Sequence, residues 1–169
     1  MFSFFKKKQK GKELVVPPAD KGNFQFQLEL KPYLIDNLLT IQLPIEFIPY
    51  ESDKFRAKTE NGKKSISIAS YQKEWKGENI NKKFFEELKL NLFDRFVNEG
   101  GYEAYDDLKV TDEFIRKSFK VEEETQYYFT SARLINNNLI ITEYIIREIG
   151  LYNRYMMPTL EIINRSVTF

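Results

Sequence analysis

The clearest pattern in the chain is a pair of apolar runs near its C-terminal end. Tyr127–Ile135 and Leu139–Ile146 are rich in the β-branched and aromatic residues that favour strands. Between them lie Asn136–Asn138, and asparagine tolerates the left-handed backbone angles of tight turns. The pattern predicts a β-hairpin. Because apolar residues occupy both faces of its strands, we expect the hairpin at the centre of a sheet.

Two alternating patterns near the start of the chain predict strands. In Phe24–Leu30 and in Ile41–Phe47, apolar side chains occupy every second position, as on a strand with one buried face. Pro44 cannot donate a backbone hydrogen bond, so the second strand lies at an edge or breaks there. Residues 33–39, between the two patterns, fit either a short helical turn or the approach to the next strand.

The middle of the chain contains a second hairpin signal. Asn61 and Gly62 lie between the strand-like runs Lys54–Thr59 and Ser65–Tyr71, and Asn-Gly is a strong signal for the short turn of a β-hairpin. Val110–Val121 fits a helix over part of its length and a strand over its second half, which we favour.

Two segments have helical spacing. Residues 79–98 carry apolar side chains at intervals of three and four and charges on the opposite face, which predicts a long amphipathic helix. Residues 150–164 show a shorter helical pattern in which Pro158 predicts a kink or a break. Ser166–Phe169 then reads as a final strand.

The order of these elements predicts one domain of the α+β class. We expect an α/β/α sandwich with a largely antiparallel sheet, covered by helix 79–98 and by the C-terminal helix 150–164. Residues 1–22, with their lysines and Pro17-Pro18, are predicted to be a basic tail. The domain is predicted to span residues 23–169.

Charge divides the chain in the same way. Residues 1–12 contain five lysines and no acid. Of the 26 basic residues, 21 remain in residues 13–169, together with 25 acidic residues, so this part of the chain has a net charge of −4. An acidic body lacks the clustered positive charge that nucleic acids require, so we expect no nucleic-acid binding.

The residue types that are missing exclude several chemistries. The chain contains no cysteine and no histidine. Disulfides, zinc-thiolate sites, thiol nucleophiles, Ser-His-Asp constellations and histidine-ligated metals are therefore impossible. We expect no catalytic residues, no cofactor and no metal, and we interpret the protein as non-enzymatic.

Acidic residues offer the remaining route to a catalytic or calcium site. They cluster after Gly100-Gly101, but nothing specifies their separation or a cleft, and the spacing of a calcium-binding EF-hand loop is missing. A solvated loop is the favoured interpretation of these acids, which are Glu99, Glu103, Asp106, Asp107 and Asp112.

The N-terminal sequence favours the cytoplasm. A secretory signal places positive charge before a long apolar run, whereas here the short run Phe2–Phe5 precedes the lysines. No stretch approaches the roughly 20 apolar residues of a membrane span. We therefore predict a cytoplasmic protein and do not expect membrane contact.

Three stretches resemble the PsbP-like fold family, named after an extrinsic photosystem subunit and including many small bacterial proteins. FQLELKP and IQLPIEF resemble its opening strands, with Leu43, Pro44 and Phe47 in matching places. Helix 79–98 follows the second hairpin, as in the family. RLINNNLIITEYII and IINRSVTF are similar to its closing hairpin, helix and strand, with Ser166 and Val167 matching. The resemblance covers most of residues 24–169 and implies a non-catalytic adaptor or binding domain.

Tyrosine and arginine, which are enriched at protein-interface hot spots, are frequent in the C-terminal block. We predict that the protein binds another protein, as an immunity-type protein or an adaptor. A small-ligand or lipid carrier, with a pocket between helix 79–98 and the sheet, is the alternative. The oligomeric state is left open by the sequence. The candidate interface residues are Trp75, Tyr127, Tyr128, Arg133, Tyr144, Arg147, Tyr152, Arg154 and Tyr155.

Overall fold

Antiparallel hairpins build this protein, as its computed structural model shows for residues 28–77, 79–88 and 103–169. Every strand pairing in this part of the chain is antiparallel. The elements in chain order are β1 (Leu30–Ile35), β2 (Leu39–Pro44), β3 (Ile48–Pro49), β4 (Phe55–Lys58), β5 (Lys64–Glu74), α1 (82–88), β6 (Glu103–Ala104), β7 (Lys109–Val110), β8 (Phe114–Val121), β9 (Glu124–Ile135), β10 (Asn138–Ile149) and α2 (Met156–Arg165).

One large sheet contains most of the strands. Its order is β3-β4-β5-β10-β9-β8-β6, and β7 also pairs with β8. β1 and β2 form a separate two-stranded sheet. The predicted C-terminal hairpin is confirmed as β9 and β10, and its position at the middle of the sheet is confirmed as well. The largely antiparallel sheet is therefore confirmed.

Residues with positive φ close the hairpins. Asn136 and Asn137 have φ values of 47° and 61°, and Ile135 pairs with Asn138 across them. The loop is thus a two-residue turn, and Asn138 belongs to β10. At the β4–β5 turn Gly62 has a φ of 67°, and the Thr59 N–H donates to the Lys64 carbonyl oxygen at 3.0 Å. The Asn-Gly hairpin is confirmed.

The first hairpin begins later than the sequence pattern predicts. β1 starts at Leu30 and continues to Ile35, into residues 33–39, for which the sequence left open a short helical turn or the approach to the next strand. Asp36 and Asn37, both with positive φ, then reverse the chain into β2. β2 ends at Pro44, as the missing backbone donor predicts. Residues 24–27 of the predicted first strand lie outside the described residues.

The main core lies between one face of the large sheet, the β1–β2 hairpin and α2. The inward side chains of β5, β9 and β10 meet those of β2 and the apolar side of α2. Fully buried members include Ile41, Ile68, Phe129, Tyr144 and Leu160. Each large apolar side chain contributes about 1.5–3 kcal/mol when fully buried, so this cluster dominates the stability of the fold.

The opposite face of the sheet carries a second apolar cluster. Phe85 of α1 is fully buried against residues that include Phe119, Tyr128 and Leu139. Asn81 precedes α1, and its Oδ1 accepts a hydrogen bond from the Phe84 N–H at 3.1 Å. This side-chain cap satisfies one of the otherwise unpaired amides of the first turn and fixes where the helix begins.

The predicted α/β/α sandwich, covered by a long amphipathic helix and a C-terminal helix, is wrong. Within the described residues, helix is confined to 82–88 and to Met156–Arg165, and the antiparallel sheet dominates. Residues 89–98 of predicted helix 79–98 lie outside the described residues. One face of the sheet is covered by the β1–β2 hairpin together with α2, so the architecture is a sheet-rich α+β fold.

The C-terminal helix is shorter than the predicted 150–164 because of Pro158. α2 begins at Met156, which places Pro158 in its first turn. Amides of the first turn have no partner within the helix, so proline is tolerated there without the predicted kink. The final strand is reduced to a single bridge between Thr168 and Thr40.

Candidate functional site

Three of the predicted interface tyrosines belong to the core. Tyr127 and Tyr144 are fully buried on the face of the sheet that α2 covers. Tyr128 is buried in the second cluster, on the other face. Adjacent residues of a strand point to opposite faces, so Tyr127 and Tyr128 cannot contribute to one surface.

Tyr127 holds the segment between β10 and α2. Its hydroxyl oxygen accepts a hydrogen bond of 2.5 Å from the Asn153 N–H. Burial raises the pKa of Tyr127 to about 12, so the hydroxyl remains protonated in the physiological pH range. Tyr127 therefore positions the entry to α2.

Arg133 has a similar structural role at the other end of α2. Its guanidinium donates to the carbonyl oxygen of Asn164 at 2.5 Å and to that of Val167 at 3.3 Å. The last carbonyls of a helix lack partners within the helix and carry partial negative charge, which a guanidinium neutralises. Arg133 thus fastens the end of α2 to β9.

Trp75 packs where β5 leads towards α1. Its ring contacts Phe84 edge-to-face, with centroids 5.5 Å apart, and its backbone amide donates to the Asn137 carbonyl oxygen at 2.8 Å. From the sequence, Trp75 could either anchor a partner protein or link the hairpin to the helix. The observed contacts are those of a link.

The other four members of the predicted set reach the surface. Tyr152, Arg154 and Tyr155 lie in the segment between β10 and α2, and Arg147 lies on β10. Tyr155 accepts a hydrogen bond of 2.8 Å from Arg154. Tyr152 stacks loosely on Tyr105, with centroids 5.4 Å apart. The structure thus brings three of the nine predicted residues together at the start of α2.

A cavity of about 460 Å³ lies beside this segment. We call it the α2 groove. It is bounded by the start of α2 on one side and by the residues around the end of β2 on the other. Its lining residues are Leu28, Glu29, Pro44, Ile45, Glu46, Phe47, Lys64, Asn153, Tyr155, Met156 and Thr159.

Exposed apolar side chains make the α2 groove unusual. Ile45 is 55% exposed and Tyr155 is 49% exposed. Ile48, 54% exposed, extends the apolar surface, because Ile45 and Ile48 line an adjoining cavity of about 450 Å³. Exposed apolar surface of this kind is a common mark of a binding site.

Sequence patterning missed Ile45 because it treats 41–47 as one strand. In that alternation Ile45 shares the buried face with Ile41, Leu43 and Phe47. β2 instead ends at Pro44, and a turn in which the Phe47 N–H donates to the Pro44 carbonyl oxygen at 3.0 Å follows. The turn moves Ile45 to the surface. Pro44 is the sequence signal that could have indicated this.

In the described part of the acidic stretch, Asp106 has a structural role. Asp106 accepts a hydrogen bond of 2.7 Å from the Ser118 N–H and thereby fixes the loop against β8. Within residues 28–77, 79–88 and 103–169, no group of three or more acidic residues is placed to hold a metal ion. Glu99 lies outside the described residues.

Glu143 is the one carboxylate whose pKa is clearly raised within the described chain. It lies on β10, opposite Thr130 of β9 and Ala69 of β5. Burial raises the pKa of Glu143, whereas hydrogen bonds with Tyr128 and Tyr71 and the charge of Lys54 act in the opposite direction. The fold therefore disfavours the ionised form of this group.

Comparison with known proteins supports the fold and leaves the family open. No family model matches the chain, and no curated protein matches it in sequence. The crystal structure of LpqN, involved in cell envelope biogenesis of Mycobacterium tuberculosis, is similar, with a TM-score of 0.51 and 10% sequence identity. The similarity covers 84% of this chain and 91% of LpqN, so the two share a fold over most of their lengths.

The part of the chain that the structure describes contains no helix that is both long and apolar enough to cross a membrane.

Proposed function

We propose that this chain is a non-enzymatic binding protein of PsbP-like architecture that recognises another protein through the α2 groove. The observation that carries the proposal is the exposure of Ile45, Ile48 and Tyr155 along two adjoining cavities. Burying such side chains in a partner removes apolar surface from water, which favours association by about 25 cal/mol per Å². Immunity-type or adaptor action in the cytoplasm is the specialisation that we favour.

Charge around the groove indicates the kind of segment it accepts. Glu29 and Glu46 line the main cavity, and Glu60 lines the adjoining one. Lys64 is the single basic residue in either lining, and its ammonium pairs with Glu46 at 3.3 Å. The groove is therefore apolar with a net negative rim. A partner segment that combines apolar side chains with lysine or arginine is complementary to it.

Tyr155 fits the role of an anchor at this surface. It is a large, amphipathic side chain with few rotatable bonds, a type enriched at interface hot spots. It lies at the N-terminal boundary of α2, which Tyr127 and Arg133 fasten to the sheet. The anchor is consequently presented on a rigid support, which lowers the entropy lost on binding.

Capture followed by affinity measurement tests the proposal. The immobilised chain is used to capture proteins from an extract of the native cell, and each captured protein is purified and titrated by calorimetry. We expect one protein to bind saturably to the wild-type chain. Ile45→Glu should weaken that binding by about tenfold or more, since it places a charge in the apolar interface.

Leu134→Glu is the matched control. Leu134 is an exposed leucine beside the Asn136-Asn137 turn, at the opposite end of the β9–β10 hairpin from the start of α2, and the substitution introduces the same charge. It should leave the affinity within about twofold of wild type. If no captured protein binds saturably, the proposed function is wrong. If Ile45→Glu binds as well as wild type, the assignment of the groove is wrong.

A further inference from the structure

A third cavity, of about 310 Å³, lies on the sheet face opposite the main core. It shares no lining residue with the α2 groove. Three strands contribute to it: β4, β5 and β10, together with the segment that leads into β4. We call it the basic pocket, and its lining residues are Tyr50, Lys54, Arg56, Ser65, Ile66, Ser67, Ile145 and Arg147.

Strand register places the two arginines on either side of β5. Arg56 of β4 pairs with Ser67, and Arg147 of β10 pairs with Ser65. Ser65 and Ser67 are two residues apart, so their side chains point to the same face of the sheet. Adjacent strands are about 4.8 Å apart, which puts the two arginine positions about 10 Å apart across the strands. Their long side chains can therefore converge over the serines.

The lining has three cationic side chains and no carboxylate. Within the described residues, neither Lys54 nor Arg147 forms an ion pair within 4.0 Å. Arg56 lies 4.0 Å from Asp53, whose carboxylate is 81% exposed and so is screened by water. The positive charge of Lys54 also acts to lower the pKa of Glu143. The lining of the pocket thus carries a net positive charge, with Asp53 and Glu143 outside it, on a body that is acidic elsewhere.

Nearby Lys58 adds a fourth positive charge. Its ammonium lies over the ring of Tyr50, 5.5 Å from the ring centroid, and the residue pairs with Ser65. Gathering like charges costs free energy, and a bound anion removes that cost. The arrangement therefore has the electrostatic character of an anion site.

The polar groups of the pocket match a tetrahedral oxyanion. Guanidinium groups bind phosphate and carboxylate oxygens through paired N–H donors, and serine hydroxyls donate to oxygens between them. We propose that the basic pocket binds a phosphate group, through Arg56 and Arg147 with Ser65 and Ser67 between them. The shared chemistry is a phosphate monoester or free phosphate, whether carried by a small molecule or by a lipid headgroup.

Titration with inorganic phosphate tests the site directly. Calorimetry on the full chain at low ionic strength should show saturable binding at one site. The double variant Arg56→Gln with Arg147→Gln should weaken it by about tenfold or more, because both guanidiniums are lost. Raising the salt concentration should weaken binding to the wild-type chain, as expected for an ionic site.

Lys63→Gln with Lys73→Gln is the control with the same loss of charge. Both lysines are exposed on or beside β5 and lie outside the pocket lining. Phosphate affinity of this variant should stay within about twofold of wild type. Far-ultraviolet circular dichroism and thermal unfolding show whether each variant is folded. Absence of saturable binding, or equal weakening in both double variants, would overturn the proposal.

A sedimentation assay separates the two sources of phosphate. Vesicles of phosphatidylcholine alone and with phosphatidic acid are incubated with the chain. If the chain sediments only with phosphatidic acid, and Arg56→Gln with Arg147→Gln abolishes this, the site takes a lipid phosphate. Binding of inorganic phosphate without sedimentation assigns a small-molecule phosphate instead. The α2 groove variant Ile45→Glu should bind phosphate as wild type does, so the two proposals fail separately.

Discussion

Asn164 shows how a single buried polar side chain can join two layers of the fold. Its Oδ1 accepts a hydrogen bond of 2.6 Å from Ser131 and one of 3.2 Å from Tyr144. All three side chains are buried between α2 and the sheet. A buried hydroxyl that loses its acceptor keeps the full cost of leaving water, so this network fixes the position of α2 as well as stabilising it.

We expect Asn164→Ala to lower the free energy of unfolding by about 2–4 kcal/mol, because it leaves two buried hydroxyl donors without their acceptor. Tyr144→Phe removes one donor and keeps the acceptor, so it should cost only about 1 kcal/mol. Urea unfolding followed by circular dichroism measures both. Equal losses in the two variants would show that the acceptor has no special role.

Glu143 should make the protein less stable as pH rises. Its pKa is higher in the folded state than the ordinary glutamate value of 4.5, so the folded state binds more protons than the unfolded state above that pH. Stability from this group is therefore full below about pH 4.5 and is lost as pH rises through the folded pKa. Glu143→Gln cannot ionise and should remove this loss.

Urea unfolding of wild type and Glu143→Gln at pH 4 and pH 8 measures the effect. The variant should gain stability relative to wild type at pH 8 and differ less at pH 4. Glu161→Gln is a control, since Glu161 lies outside this site, 3.5 Å from Arg116. A Glu143→Gln variant whose stability had the same pH dependence as that of wild type would contradict the expectation.

At the scale of elements, short turns with defined backbone angles join most of the strands. Asn136-Asn137 supplies the positive φ values from residues that tolerate them, and Gly62 does so in the β4–β5 turn. The β8–β9 turn is different. Val121 pairs with Glu124 across Glu122-Glu123, and Glu122 has a φ of 57°. Two of the three consecutive glutamates at positions 122–124 therefore form the turn.

Glu122→Gly should therefore raise the free energy of unfolding by about 0.5–1 kcal/mol, since glycine adopts positive φ without strain. Glu123→Gly is a close control, because Glu123 is adjacent and is not among the positive-φ residues. It should be neutral or destabilising, because the unfolded chain gains entropy. Thermal unfolding of both variants measures the difference, and a stabilising effect of Glu123→Gly as large as that of Glu122→Gly would refute the argument.

At the scale of the whole molecule, the C-terminal segment connects the small sheet to the rest. Thr168 and Thr40 exchange backbone hydrogen bonds of 2.8 and 2.9 Å. The Ser166 hydroxyl oxygen accepts a hydrogen bond of 2.9 Å from the Gln42 N–H. Val167 is buried in the main core between these two contacts. The β1–β2 hairpin is therefore held in place by residues of the C-terminal segment, about 125 positions away in the sequence.

Ser166→Ala removes the side-chain acceptor and leaves the Thr168 bridge intact. The Gln42 amide should then exchange with solvent at least about tenfold faster, because its hydrogen bond is lost, whereas Thr40 keeps its own. Hydrogen exchange by nuclear magnetic resonance measures both amides in the same sample. Equal acceleration of Gln42 and Thr40 would indicate general loosening of the hairpin.

Local patterns in the sequence were sufficient for the β4–β5 and β9–β10 hairpins, but not for the β1–β2 hairpin. Asn136-Asn137, Asn61-Gly62 and the break at Pro44 carry their structural meaning in their own backbone preferences, so neighbouring residues suffice to predict them. Tyr152, Arg154 and Tyr155 were predicted as contact residues from residue type, and they do lie together on the surface. Ile45 could not be found this way, because its exposure depends on a turn that reverses the alternation after β2.

The sequence by itself determined the antiparallel sheet, its central hairpin and the chemistries excluded by the absence of cysteine and histidine. Only the tertiary structure decided which layers cover that sheet, which tyrosines are buried, and that Arg56 and Arg147 line one cavity on either side of β5. The physical reason is the distance along the chain over which each kind of interaction acts. Turn and strand preferences act between adjacent residues, whereas burial and the grouping of charges depend on strand register between distant residues such as Ser65 and Arg147, which are 82 positions apart.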